Sequence, residues 1–154
     1  MVEWQGLELP TFTGTLASVA AARRDALRDN LEDNLPPSPA PASASRMTPA
    51  PAGHFPDACA ACGGHCCRKG GDTGYLDEPS LRLAWRNHPR LTRDELIAAY
   101  MNSVPDLAFA GSCIFHAAHG CNLSEALRSV ICKAYLCGPL KDAALRPRDP
   151  RPPT

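Results

Sequence analysis

Cys59-Ala60-Ala61-Cys62-Gly63-Gly64-His65-Cys66-Cys67 sets four thiols within nine residues. A Cys-x-x-Cys step brings two thiolates to one metal and leaves backbone N–H groups free to point at sulfur, while Gly63-Gly64 lets the chain wrap closely around it. The order differs from the bacterial ferredoxin run of Cys-x2-Cys-x2-Cys-x3-Cys. Neighbouring side chains point to opposite faces of an extended chain and diverge by about 100° around a helix. Cys66 and Cys67 are therefore expected to part: one completes the site begun by Cys59 and Cys62, and the other reaches a second ligand set.

Outward from this stretch lie the other four cysteines, Cys113, Cys121, Cys132 and Cys137. Cys113-Ile114-Phe115-His116 reads as a strand and His119-Gly120-Cys121 as the far side of a tight turn, a hairpin across which Cys113 and Cys121 face each other. Glu78-Pro79-Ser80 opens a helix with Leu81, Ala84 and Trp85 on one face, closed by Asn87-His88-Pro89. Thr92-Arg93-Asp94-Glu95 has capping-box spacing and introduces a helix bearing Leu96, Ile97, Tyr100, Met101 and Val104, ended by Pro105. Ser124 is placed to cap a last helix, with Leu127, Val130 and Ile131 inward, that stops near Gly138-Pro139 and puts Cys132 and Cys137 at its end. The expected fold is a small, irregular α+β domain stapled by metal, with two or three short helices and one β-hairpin. A domain of this size buries little apolar surface, and such domains commonly rely on disulfides or metals.

Further out, residues 35–56 are rich in proline, alanine and serine and read as a linker. They separate an N-terminal helical arm, residues 1–34, from the cysteine-cluster domain, residues 57–140. In the arm, Thr13 or Thr15 caps a helix with Leu16, Val19, Ala20, Leu27 and Leu31 as a loose apolar stripe, preceded by Trp4, Leu7, Leu9 and Phe12. That stripe fits a helix folded back on the main domain better than a free docking helix for a protein partner. Residues 141–154 read as a disordered tail.

The totals narrow the classes. Sixteen basic and sixteen acidic residues cancel, so no broad field gathers nucleic acid or an anionic membrane. The apolar runs fall short of the roughly 20 residues that span a bilayer. The first residues, Met1 to Glu8, lack a basic segment followed by an apolar one, so no signal peptide is read and a reducing, cytoplasmic setting is expected. In that setting thiols serve metals or catalysis more readily than disulfides, and Cys66 and Cys67 cannot readily bond to each other.

Cys-x-x-Cys-x-x-x-Cys-Cys, then Cys-Ile-Phe, Gly-Cys, an arginine and Cys-Lys-Ala-Tyr-Leu-Cys resembles the YkgJ-type cysteine-cluster family, from Cys59 to about Cys137. The resemblance implies zinc or iron chelation by all eight cysteines. It departs at Arg128-Ser129, where Arg-Pro is usual, at Lys133, where an arginine is usual, and at Leu123, near the place of the usual hairpin tyrosine. The family is similar in turn to the cysteine-rich part of flagellin lysine methylases, which implies a link to an iron–sulfur cluster and S-adenosylmethionine.

The expected ligands are thus Cys59, Cys62, Cys66, Cys67, Cys113, Cys121, Cys132 and Cys137, holding an iron–sulfur cluster in preference to zinc. Arg68, Lys69, Arg128 and Lys133 stand where they can offset thiolate charge. His65, His116 and His119 are secondary candidates beside so many thiols. The leading function is a metal-binding module with an electron-transfer, sensing or metal-handling role. Its rivals are a cluster-dependent modifying enzyme such as a protein methyltransferase, and a zinc-stapled adaptor that binds a partner through the arm. The chain has no evident glycine-rich nucleotide loop, which weighs against a self-contained methyltransferase.

Overall fold

A computed structural model describes residues 1–39, 60–135 and 137–145, the side chains of 144 and 145 excepted. Cys59, most of the proline-rich linker and the tail from 146 onward lie outside the described residues. The described chain is a small α+β domain with more helices than expected and three two-stranded antiparallel sheets.

The residues before the arm's helix form strands. β1 (Val2–Trp4) and β2 (Leu7–Leu9) make a hairpin around Gln5-Gly6, both at positive φ. β3 (Leu16–Ser18) leaves the arm altogether and pairs with β4 (Leu107–Phe109), so that Leu16 lies opposite Phe109. The helix expected from Thr13 or Thr15 therefore starts later, as α1 (Ala21–Asn34), with no side-chain cap. Leu16 and Val19 belong to the strand and its exit, and strand pairing outweighs a stripe of modest helical character. α1 buries Leu27 and Leu31 in the main core with Leu35, Leu81, Trp85, Leu96 and Tyr100. Burying a leucine contributes about 1.5–3 kcal/mol, so α1 is a structural part of the cysteine-bearing domain.

α2 (Glu78–Asn87) is capped by Asp77, whose side chain accepts from the Ser80 N–H, and it buries Leu81, Ala84 and Trp85. α3 (Arg93–Asn102) carries the full capping box of Thr92 and Glu95 and buries Leu96, Ile97 and Tyr100. α1 packs on both. The Tyr100 hydroxyl donates to the Leu127 carbonyl at 2.9 Å, which ties α3 to the later loops.

The hairpin exists but is shorter than expected: β5 (His116–Ala117) pairs with β6 (Gly120–Cys121), and Cys121 lies opposite His116. Cys113 precedes the strand, so the two cysteines do not face each other across the ladder. The expected last helix is also broken. Glu125–Leu127 forms a 3-10 turn, Arg128 and Ser129 are extended, and Ser129 caps the short α4 (Val130–Ala134) by accepting from the Cys132 N–H. Ile131 is consequently exposed. Gly138-Pro139, expected to end the helix, instead begins α5 (Gly138–Leu145), which takes in residues 141–145 and packs on β2. No helix of the described residues is long and apolar enough to cross a membrane.

Candidate metal centre

Gly63 and Gly64 sit at φ +69° and +91°, the left-handed region that favours glycine. They turn the chain into a 3-10 helix over His65–Lys69 that carries Cys66 and Cys67. Gly64 also lies against His116: a Cβ there would stand 2.5 Å from His116 Nε2. The Cys67 carbonyl then accepts from the Gly70 N–H at 2.9 Å and the Cys113 N–H at 3.0 Å, and the Gly71 carbonyl accepts from the Ile114 N–H at 2.8 Å. This short backbone zipper draws Cys113 onto the loop that holds Cys66 and Cys67.

Five thiols act on one another's charge as a chain of neighbours: Cys67 with Cys66, Cys113 and Cys121, Cys113 with Cys121 and Cys132, and Cys132 with Cys121 and Cys66. Cys67 donates to the Cys66 sulfur, which lowers Cys66 to about 6 and raises Cys67; burial and the negative charge of Cys66, Cys113 and Cys121 raise Cys67 further. The adjacent pair therefore lies within hydrogen-bonding reach, contrary to the expected divergence. Burial pushes the Cys113 thiol up to about 12, with Cys121 and Cys132 adding to the rise. Cys132 is raised by burial, against the Ser129 hydrogen bond and Arg128, which lower it.

Cys62 and Cys137 stand apart from this nest. They pack with Leu9 and Leu140 in a small second apolar cluster and, with His65, Cys66 and Tyr135, line a shallow pocket. Sequence order placed Cys137 with Cys132; the helix break between them places it with Cys62. Cys66 borders both groups. All seven described cysteines are free thiols.

His116 is a clamp. Its ring is buried between Phe12 and Phe109, with centroids 4.9 and 4.6 Å away, and both nitrogens are engaged. Nε2 donates to the Gly63 carbonyl at 2.8 Å, so Nδ1 of the neutral ring accepts from the Ser112 hydroxyl at 2.8 Å. Burial lowers its pKa. His116 thus holds the Cys62-Gly63-Gly64 turn against the hairpin, leaving neither nitrogen for metal. Phe12 adds a second tie, its N–H donating to the Cys62 carbonyl at 3.2 Å.

Of the expected cations, Arg128 acts on Cys132. Arg23, in α1, lies beside Cys113 and was not anticipated; nothing local in the sequence points from residue 23 to residue 113. Tyr75 was also missed. It sits at φ +59°, its hydroxyl donates to the Cys66 carbonyl at 3.4 Å, and burial followed by the thiols of Cys132, Cys66, Cys113 and Cys67 raises its pKa.

Free thiols, once deprotonated, suit a soft, thiophilic centre in their chemistry. In spacing, no three of the described histidine, cysteine, aspartate or glutamate side chains are set to hold a single ion. Neither any family model, nor any curated protein, nor any solved structure matches this chain.

Proposed function

We propose that this chain is a metal-binding protein whose thiol nest takes an iron–sulfur cluster in preference to zinc, serving electron transfer, sensing or metal handling. The observation that carries the reading is the convergence of Cys66, Cys67, Cys113, Cys121 and Cys132, drawn from three separate stretches of chain into one small space. Like-charged groups gathered in a half-buried nest repel when ionised, and a bound cationic centre relieves that repulsion.

A tetrahedral zinc gathers four thiolates about a single point at about 2.3 Å, whereas in a multi-iron cluster each thiolate has its own iron, which suits the uneven spacing of the eight cysteines along the chain. Cys62 and Cys137, with Cys59 in sequence beside them, are available as a second ligand set.

The test is anaerobic isolation of the full chain with elemental analysis and an absorption spectrum. The reading requires iron with acid-labile sulfide and visible absorption, or stoichiometric zinc without colour. Folded protein free of both metals, with its sulfurs joined as cystines, refutes it.

A further inference from the structure

The N-terminal helix contributes a residue to the thiol nest from far outside the cysteine-bearing stretch. Arg23 lies in the first turn of α1, and its position is set by the sheet just before it. β3 pairs with β4, the Val19 N–H donates to the Asp106 carbonyl at 3.3 Å, and α1 begins two residues later. From there the guanidinium spans two loops. Nε meets Asp72 Oδ1, and Nη2 donates to the Ser112 carbonyl at 2.6 Å and to the Gly71 carbonyl at 3.5 Å.

Those acceptors flank the backbone zipper. Gly71 is the residue whose carbonyl receives the Ile114 N–H, and Ser112 immediately precedes Cys113, whose N–H reaches the Cys67 carbonyl. Arg23 therefore closes the two loops that bring Cys67 and Cys113 together, and its side chain is only 22% exposed. The guanidinium, joined to the Ser112 carbonyl, also sets a positive charge at the residue next to Cys113. A planar fork presents donors from separate nitrogens, here Nε to the carboxylate and Nη2 to the two carbonyls, whereas the three donors of lysine radiate from one nitrogen.

We propose that Arg23 is a positioning residue of the thiol nest: its fork fixes the Cys67 and Cys113 loops, and its charge, tempered by Asp72, stabilises the bound centre. This rests on the metal-binding reading above, but its mechanical half does not. Asp72→Asn keeps an oxygen acceptor for Nε and leaves the Ser112 and Gly71 contacts, so it removes only the opposing charge. If Arg23 serves only to hold loops, Arg23→Lys does the same harm as Arg23→Gln and salt leaves both costs unchanged; if its charge also matters, Arg23→Lys is the milder and salt narrows the gap.

The experiment uses the full chain, isolated anaerobically, as wild type, Arg23→Gln, Arg23→Lys and Asp72→Asn, each checked for folding by circular dichroism. Release of the bound metal to a colorimetric chelator is followed alongside amide hydrogen exchange. Arg23→Gln is expected to release metal about tenfold faster, and Arg23→Lys, which keeps the charge, about threefold faster or less. Asp72→Asn is expected to release no faster than wild type, and added salt should narrow the gap between Arg23→Gln and wild type. In exchange, the Cys113 and Ile114 amides should open about tenfold faster in Arg23→Gln while those of α3 stay unchanged. Release from Arg23→Gln at the wild-type rate, or equal damage from Asp72→Asn, overturns the role of the charge. Unchanged exchange at Cys113 and Ile114 overturns the clamp. Should wild type carry no metal, the proposed function fails alone, and the exchange measurement still judges Arg23. If Arg23→Gln does not fold, Arg23→Lys and Asp72→Asn carry the same comparisons.

Discussion

Replacing His116 with phenylalanine keeps an aromatic ring between Phe12 and Phe109 and removes two hydrogen bonds, each 2.8 Å long. The two losses are unequal. Ser112 is 1% exposed, so its hydroxyl is stranded without water, a penalty of about 1–3 kcal/mol. Gly63 is exposed and its carbonyl can turn to solvent, which limits that loss to about 1 kcal/mol. His116→Phe is thus expected to destabilise the domain by about 2–4 kcal/mol, a large share of the 5–15 kcal/mol typical of a small domain. Guanidinium unfolding followed by circular dichroism measures it. Adding Ser112→Ala should recover about 1–2 kcal/mol, because the stranded hydroxyl is gone. The dependence on pH has a definite sign. Burial holds the folded imidazole's pKa below its ordinary value of about 6.5, so on acidification the unfolded chain takes up a proton first. Stability due to neutral His116 is full above about pH 6.5 and declines as pH falls from there toward the folded pKa, so the gap between wild type and His116→Phe narrows in acid. A variant within about 0.5 kcal/mol of wild type, or a gap independent of pH, refutes the clamp.

Three further outcomes follow from packing and from the thiol partition. Gly70→Ala sets a Cβ 2.7 Å from Cys113 Cβ and 2.9 Å from its sulfur, so the zipper must open; metal content of the isolated chain should fall by more than half while the far-ultraviolet spectrum is kept. Leu31→Ala, at a fully buried position on α1, should destabilise by about 2–5 kcal/mol in denaturant titration, and deletion of residues 1–34 should leave the cysteine region unfolded. Cys113→Ser should abolish the main centre, whereas Cys137→Ser should leave its spectrum intact and change only metal bound beyond it, as read by elemental analysis.

Local chemistry was legible where a residue acts on its neighbours. The Thr92–Glu95 capping box and the apolar face of Leu81, Ala84 and Trp85 appear as read, because three- and four-residue spacings carry their own energetics. Gly63-Gly64, read as letting the chain wrap closely, does so through two left-handed residues. Long-range decisions were not legible. Leu16 became a strand residue because Phe109, far along the chain, pairs with it, and three-residue strands leave too little alternation to notice. Arg23 meets partners 49 and 89 residues away. Ser129 did carry a cue, since serine three residues before an N–H it can cap is a helix start, and reading it would have broken the expected last helix between Leu127 and Val130.

The competing explanation for the nest is packing, since free cysteine behaves as a small apolar residue and is often buried. Cys113 satisfies that description, being buried in the main core beside Phe115 and Ile114. Cys66 and Cys132 fit it less well, because both keep part of their surface in water. A residue that only fills space gains nothing on the surface. The polar groups of the region are meanwhile spoken for: His116 holds Gly63 and Ser112, Arg23 holds Gly71 and Ser112, and among the described residues no buried side-chain nitrogen or oxygen lacks a partner. The framework around the thiols is complete without them. The proposed shared ligand would give these five sulfurs, which span core and surface, a common role that space-filling alone does not give Cys66 and Cys132.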